Sequence, residues 1–202
     1  NYRPKVKKIF RDIPEGVFQI IMNEIVTNHR NILMLAALSA FAGMRPSECC
    51  NVRREDSPLG PGIVFEVIDG EVTGITIDIS EEKNLRSDLV NVGGIKKERK
   101  QKVYPAFIEA FMSCYDMYMS YIENSPYEAE YGALTNTSTG KAYTYDSYYM
   151  EFRKVVNDCI PIMLEDEDPQ VVNYGHLLQE NRISPHILRR WFSVKLTLYG
   201  ED

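Results

Sequence analysis

Two short stretches carry residue types that could hold an anion and act on it. The first is Gly43-Met44-Arg45-Pro46-Ser47-Glu48. An apolar run from Ile32 to Phe41 reads as a buried helix, and Gly43 suits a helix end that needs positive φ. Pro46 suits the first turn of a new helix, where a missing N–H costs nothing. Arg45 is therefore fixed at a corner between two helices. A guanidinium in such a place needs a partner anion. It is either a structural arginine paired with Glu48 or Asp56, or one aimed at a phosphate, which its planar fork fits. The second stretch runs from Ser184 through Pro185, His186, Ile187, Leu188, Arg189 and Arg190 to Trp191-Phe192-Ser193. Ser184 reads as an N-cap and Pro185 as the first helical residue. His186 and Arg189 then share a face in the first turns, where unpaired N–H groups and the helix dipole favour an anion. H-x-x-R by itself is a weak signal, because many surface helices contain it.

The elements around these stretches follow from periodicity. Residues 1–13 are basic and irregular and read as a linker or arm. Val17, Phe18, Ile21, Met22 and Ile25 recur at helical spacing after Pro14, and Thr27 to Arg30 break that helix. The short helix after Arg45 is expected to run to about Arg53. Residues 57–104 change character: a Pro/Gly loop, a strand Ile63 to Ile68, a turn at Asp69-Gly70, and strict alternation of Ile75, Ile77 and Ile79. Leu89 to Val92 and Lys102 to Tyr104 are shorter strand candidates. The last hairpin, near Gly93 to Gln101, carries Lys96, Lys97, Arg99, Lys100 and Lys102 as a basic block. Helices are expected after Pro105, after a cap at Thr144 or Asp146, from Val171 to Gln179, and from Pro185. The tyrosines at 143, 145, 148 and 149 read as aromatics around a helix start. The expected fold class is mainly α with a small antiparallel sheet.

The net charge of −6 does not advertise a polyanion partner. The charge is unevenly placed, however: the acidic block Glu165 to Asp168 stands far from the basic hairpin, and local field governs docking. Cys49, Cys50, Cys114 and Cys159 form no C-x-x-C pair and suit a reducing cytoplasm. His29, His176 and His186 show no metal spacing with these thiols, so no zinc site is expected. The longest apolar run is too short for a bilayer, so no membrane partner is expected. Asn1 is not an initiator Met, and the sequence reads as an excised fragment.

The order Gly-Met-Arg-Pro-Ser-Glu, a small sheet with a Lys-rich hairpin ending in Val103-Tyr104-Pro105, then Pro-His-Ile-Leu-Arg resembles the tyrosine recombinase (phage integrase) catalytic domain. The family's first box, G-L-R-x-S-E, stands as Gly43 to Glu48. Its second, H-x-L-R-H-x-F-A, stands as His186 to Ser193, with Arg190 in place of the usual histidine. Gly140-Lys141-Ala142-Tyr143-Thr144 resembles the family's turn before its middle helix. The resemblance implies an incomplete catalytic domain over 14–202. Arg45, His186, Arg189 and a hairpin lysine would be its catalytic residues. Lys97 is favoured for that lysine, with Lys96 and Lys83 as alternatives. Lys96, Arg99, Lys100 and Arg190 would contact DNA, and Glu48 would brace Arg45. It further implies site-specific recombination through a 3′-phosphotyrosyl intermediate, double-stranded DNA as partner, self-association on DNA as a tetramer, no cofactor, and a phage or bacterial mobile element as its home. The family's third box, ending in the nucleophilic tyrosine, lies farther past the second arginine than this sequence runs; Tyr199 is too near Arg189 to match, and Trp191 reads as core. An N-terminal core-binding domain is likewise expected outside this sequence.

Two other readings fit the same residues: a DNA-binding accessory domain of this fold without chemistry, and a helical protein–protein module in which both arginines are structural.

Overall fold

The computed structural model describes residues 13–80 and 98–200. Its element order is helix α1 (Glu15–Asn28), a 3-10 turn, α2 (Leu33–Ala42), α3 (Pro46–Cys49), strands β1 (Ile63–Ile68), β2 (Glu71–Asp78) and β3 (Lys100–Lys102), then α4 (Ile108–Glu123), α5 (Tyr145–Leu164), α6 (Pro169–Glu180) and α7 (His186–Tyr199). The chain is mainly helical, with one three-stranded antiparallel sheet in the order β1-β2-β3.

Every residue of α2 is buried, which is why this helix has no polar face. It forms the axle on which α1, α4 and α7 pack. The predicted face of α1, Val17, Phe18, Ile21, Met22 and Ile25, is the face it buries. Ile75, Ile77 and Ile79 are buried as the alternation requires. Asp69 and Gly70 both take positive φ, 52° and 81°, the turn type that suits a two-residue hairpin. Thr144 caps α5 reciprocally: Ser147 N–H donates to Thr144 Oγ1 at 3.1 Å, and Thr144 N–H donates to Ser147 Oγ at 2.9 Å. Trp191 is core, stacked on Phe18 at 3.8 Å with its indole N–H donating to Glu15 at 3.0 Å.

Several expectations are corrected. The helix after Arg45 stops at Cys49, not near Arg53, because the chain is then drawn into other pairings. Arg53 bridges Ala133 and donates from Nε to the Gly60 carbonyl at 3.0 Å. The last strand is Lys100–Lys102 and not Lys102 to Tyr104, since Tyr104 N–H leaves the sheet to bond the Phe41 carbonyl at 3.2 Å. Ser184 makes no side-chain capping bond: α7 begins at His186, with Pro185 in helical geometry before it. Lys83, Lys96, Lys97, the strand candidate at 89–92 and the arm at 1–12 lie outside the described residues. The four cysteines are buried free thiols. No helix among the described residues is long and apolar enough to cross a membrane.

Candidate active site

The corner between α2 and α3 builds the site. Gly43 takes φ 67°, and a β-carbon there would stand 2.4 Å from the Phe192 ring. The missing side chain lets α7 lie against the end of α2 and bring Arg189 onto it. Arg189 Nε donates to the Gly43 carbonyl at 2.8 Å, so one fixed backbone group orients the guanidinium.

Arg45 occupies the N-cap of α3 in extended geometry, with Pro46 behind it. Its own N–H donates to Glu48 Oε2 at 3.1 Å, and its Nη1 donates to Glu48 Oε1 at 3.2 Å. Arg99 enters from just before β3 and donates two parallel bonds to the same carboxylate, at 3.1 and 3.0 Å. Glu48 is fully buried, so its charge is held by these donors. Burial resists its ionisation, but the bonds from Arg99 and Arg45 outweigh this and keep its carboxyl below the usual range. The structural pairing expected for Arg45 is thus with Glu48 and not with Asp56.

Arg45, Arg99 and Arg189, with Ala42, Gly43, Gln101 and Phe192, line one open cleft of about 600 Å³. Among the described residues Arg189 has no carboxylate within ion-pair distance. Partial burial and then the charge of Arg45 lower its proton affinity, though a guanidinium stays charged. His186 sits one turn before Arg189 on α7. Partial burial, then Arg189, Arg190 and Arg45, push its imidazole below its ordinary value, so it is neutral at neutral pH. The three guanidiniums line a cation-rich cleft, with the His186 imidazole in the field of Arg189 and Arg45, an arrangement suited to stabilising charge that develops on a bound oxyanion.

Of the residues singled out from sequence, Arg45, His186 and Arg189 come together. Arg99, expected as a DNA contact, is tied to Glu48 and lines the cleft. Lys100 and Arg190 are exposed. Sequence reading missed Gln101 and Phe192 on the cleft wall, and Tyr145, whose ring lies 6.2 Å from His186. For Tyr145 the only signal was its place directly after the Thr144 cap.

No family model matches the chain, and no curated protein does. Solved structures do. One is XerH site-specific recombinase bound to a palindromic difH substrate, a post-cleavage complex, with a TM-score of 0.52 and 18% identity over 95% of this chain and 43% of that one. The pre-cleavage complex of XerH with difH gives a TM-score of 0.50 at 18% identity, over 95% of this chain and 44% of that one. This chain therefore spans less than half the length of the recombinase chains it matches, and along nearly all of its own length it has an α+β, tyrosine recombinase-like fold.

Proposed function

We propose that this chain is the greater part of a tyrosine recombinase catalytic domain. In this reading it cleaves and rejoins double-stranded DNA at a specific site, with a tyrosine nucleophile supplied by sequence beyond Asp202. The observation that carries the proposal is one open cleft lined by Arg45 and Arg189, with His186 near enough to feel both charges, within a fold shared with a recombinase that binds DNA.

The chemistry follows from the groups present. The tyrosine oxygen attacks the phosphorus, the bond to the 5′-oxygen breaks, and a 3′-phosphotyrosyl link conserves the bond energy for rejoining. Arg45 and Arg189 bind the two non-bridging oxygens as negative charge grows on them; removing one such donor typically costs about 10²–10³ in rate. His186, neutral before DNA binds, donates a hydrogen bond to the phosphate or takes the proton of the attacking tyrosine. A hairpin lysine, Lys97 in first place, protonates the leaving 5′-oxygen. Lys96, Lys100 and Arg190 position the duplex through its phosphates, which fixes register without reading sequence. Glu48 holds Arg45 and Arg99 in place and does not itself transfer a proton. Four such subunits assembled on two duplexes would exchange strands in pairs.

The test uses the full-length parent protein and a nicked suicide duplex of its own site. The readout is covalent protein–DNA adduct on a denaturing gel. An adduct with the parent that is lost in both Arg45→Ala and Arg189→Ala is the expected result. Salt-sensitive DNA binding without adduct would replace this reading with that of an accessory DNA-binding domain.

A further inference from the structure

Away from the residues that line the arginine cleft, three carboxylates from two helices surround one imidazole. Glu24 lies on the last turn of α1 and His29 ends that helix. Glu151 and Asp158 lie two turns apart on one face of α5. His29 Nδ1 is 2.8 Å from Glu151 Oε1, which fixes the ring and turns Nε2 towards the other two acids. Nε2 stands 3.0 Å from Asp158 Oδ2 and 3.7 Å from Glu24 Oε1.

We propose that Glu24, His29 and Asp158 bind a divalent transition-metal ion of the zinc class and so join the end of α1 to α5. The three ligand atoms lie within 4.8 Å of one another. Tetrahedral zinc, with ligands at about 2.0–2.2 Å, needs neighbouring ligand atoms roughly 3.4 Å apart, and the two measured separations bracket that value. Glu151 on Nδ1 is the outer partner that a metal-bound histidine ordinarily has, since it fixes the tautomer and raises the basicity of Nε2. The Glu24 side chain is only 10% exposed and accepts from the Asn28 amide at 2.9 Å. In the metal-free protein the positive charge beside it is the His29 imidazole, whose proton affinity burial lowers and Glu151 and Asp158 raise. Lys154 is largely exposed and engages the far oxygen of Glu151. Asp158, about half exposed, leaves the ion a way in from solvent and room for water as a fourth ligand. Cys159 is close by but is no ligand. Burial, then Glu24 and Asp158, push its thiol up to about 12, and its S–H faces the Ile20 carbonyl.

The test is calorimetric titration of the protein with zinc chloride at neutral pH in a non-chelating buffer under reductant. The parent is expected to take one ion per chain and to gain thermal stability. Asp158→Asn, at an accessible position, should weaken binding at least tenfold while leaving the circular dichroism of the metal-free protein unchanged. Glu151→Gln should weaken it about 10–100-fold, as loss of an outer partner does. His176→Ala, on an exposed histidine elsewhere, should change nothing. Glu24→Gln should likewise weaken binding at least tenfold; should that variant fail to fold, Asp158→Asn decides alone. Absence of binding to the parent, or binding that Asp158→Asn leaves intact, overturns the proposal, and the cluster is then an imidazolium clamp between two helices.

Discussion

Glu48→Gln removes one negative charge and keeps the shape of the side chain. The carboxylate accepts three guanidinium hydrogen bonds and one backbone bond between 3.0 and 3.2 Å. Breaking a buried pair by removing one partner costs about 3–5 kcal/mol. Here the loss is smaller, because Arg45 and Arg99 are 31% and 21% exposed and can turn to water. The glutamine oxygen also still accepts from one or two of the donors. The expected loss is about 2–4 kcal/mol, which in a chain of this size lowers Tm by roughly 4–16 °C. Unfolding can be followed by the fluorescence of Trp191, the sole tryptophan. The pH dependence tests the cause. A carboxyl held low in the folded state stabilises fully above its unfolded value of 4.5, and that stabilisation is lost as pH falls through the lower folded value. The gap between parent and variant should therefore close in acid, where the parent carries a protonated, nearly isosteric group. A Tm change below about 2 °C, or a gap that persists in acid, refutes the reasoning.

Gly43→Ala should destabilise by about 2–5 kcal/mol: about 1–2 from the left-handed backbone and about 1–3 from the collision with Phe192. Urea unfolding of Gly43→Ala with and without Phe192→Ala separates the two, since only the collision is relieved in the double variant; a single variant within about 0.5 kcal/mol of the parent contradicts the geometry. In an NMR titration His186 should show a midpoint below 6.5, rising in Arg189→Ala and on addition of inorganic phosphate, because each change reduces the positive field around it; a midpoint at or above 6.5 in the free parent would oppose this.

What the sequence made legible was local. The apolar run of α2, the positive-φ glycine at its end and the proline opening α3 each depend on a few adjacent residues and appear where those residues predict them; of the two caps offered for α5, Thr144 is the one used. The isoleucine alternation gave β2 its buried face for the same reason. Contacts between distant segments were not legible. Arg99 looked like one more charge on a basic hairpin because nothing in its neighbours names Glu48, 51 residues away. The cluster around His29 escaped a search by ligand spacing because its acids come from two helices separated by most of the chain. Boundaries moved where tertiary bonds competed with local preference, as at Cys49, where Arg53 is taken by Gly60 and Ala133.

The carboxylate shared by Arg45 and Arg99 also constrains how this protein can change over generations. Loss of Glu48 alone leaves two guanidiniums crowded without their acceptor, and loss of Arg99 alone leaves a fully buried anion with one guanidinium partner. Neither single step is neutral, so positions 48 and 99 should be inherited as a pair. In any lineage that retains Arg45, an acid at one position should accompany a planar cation at the other, and lineages that abandon both should do so together.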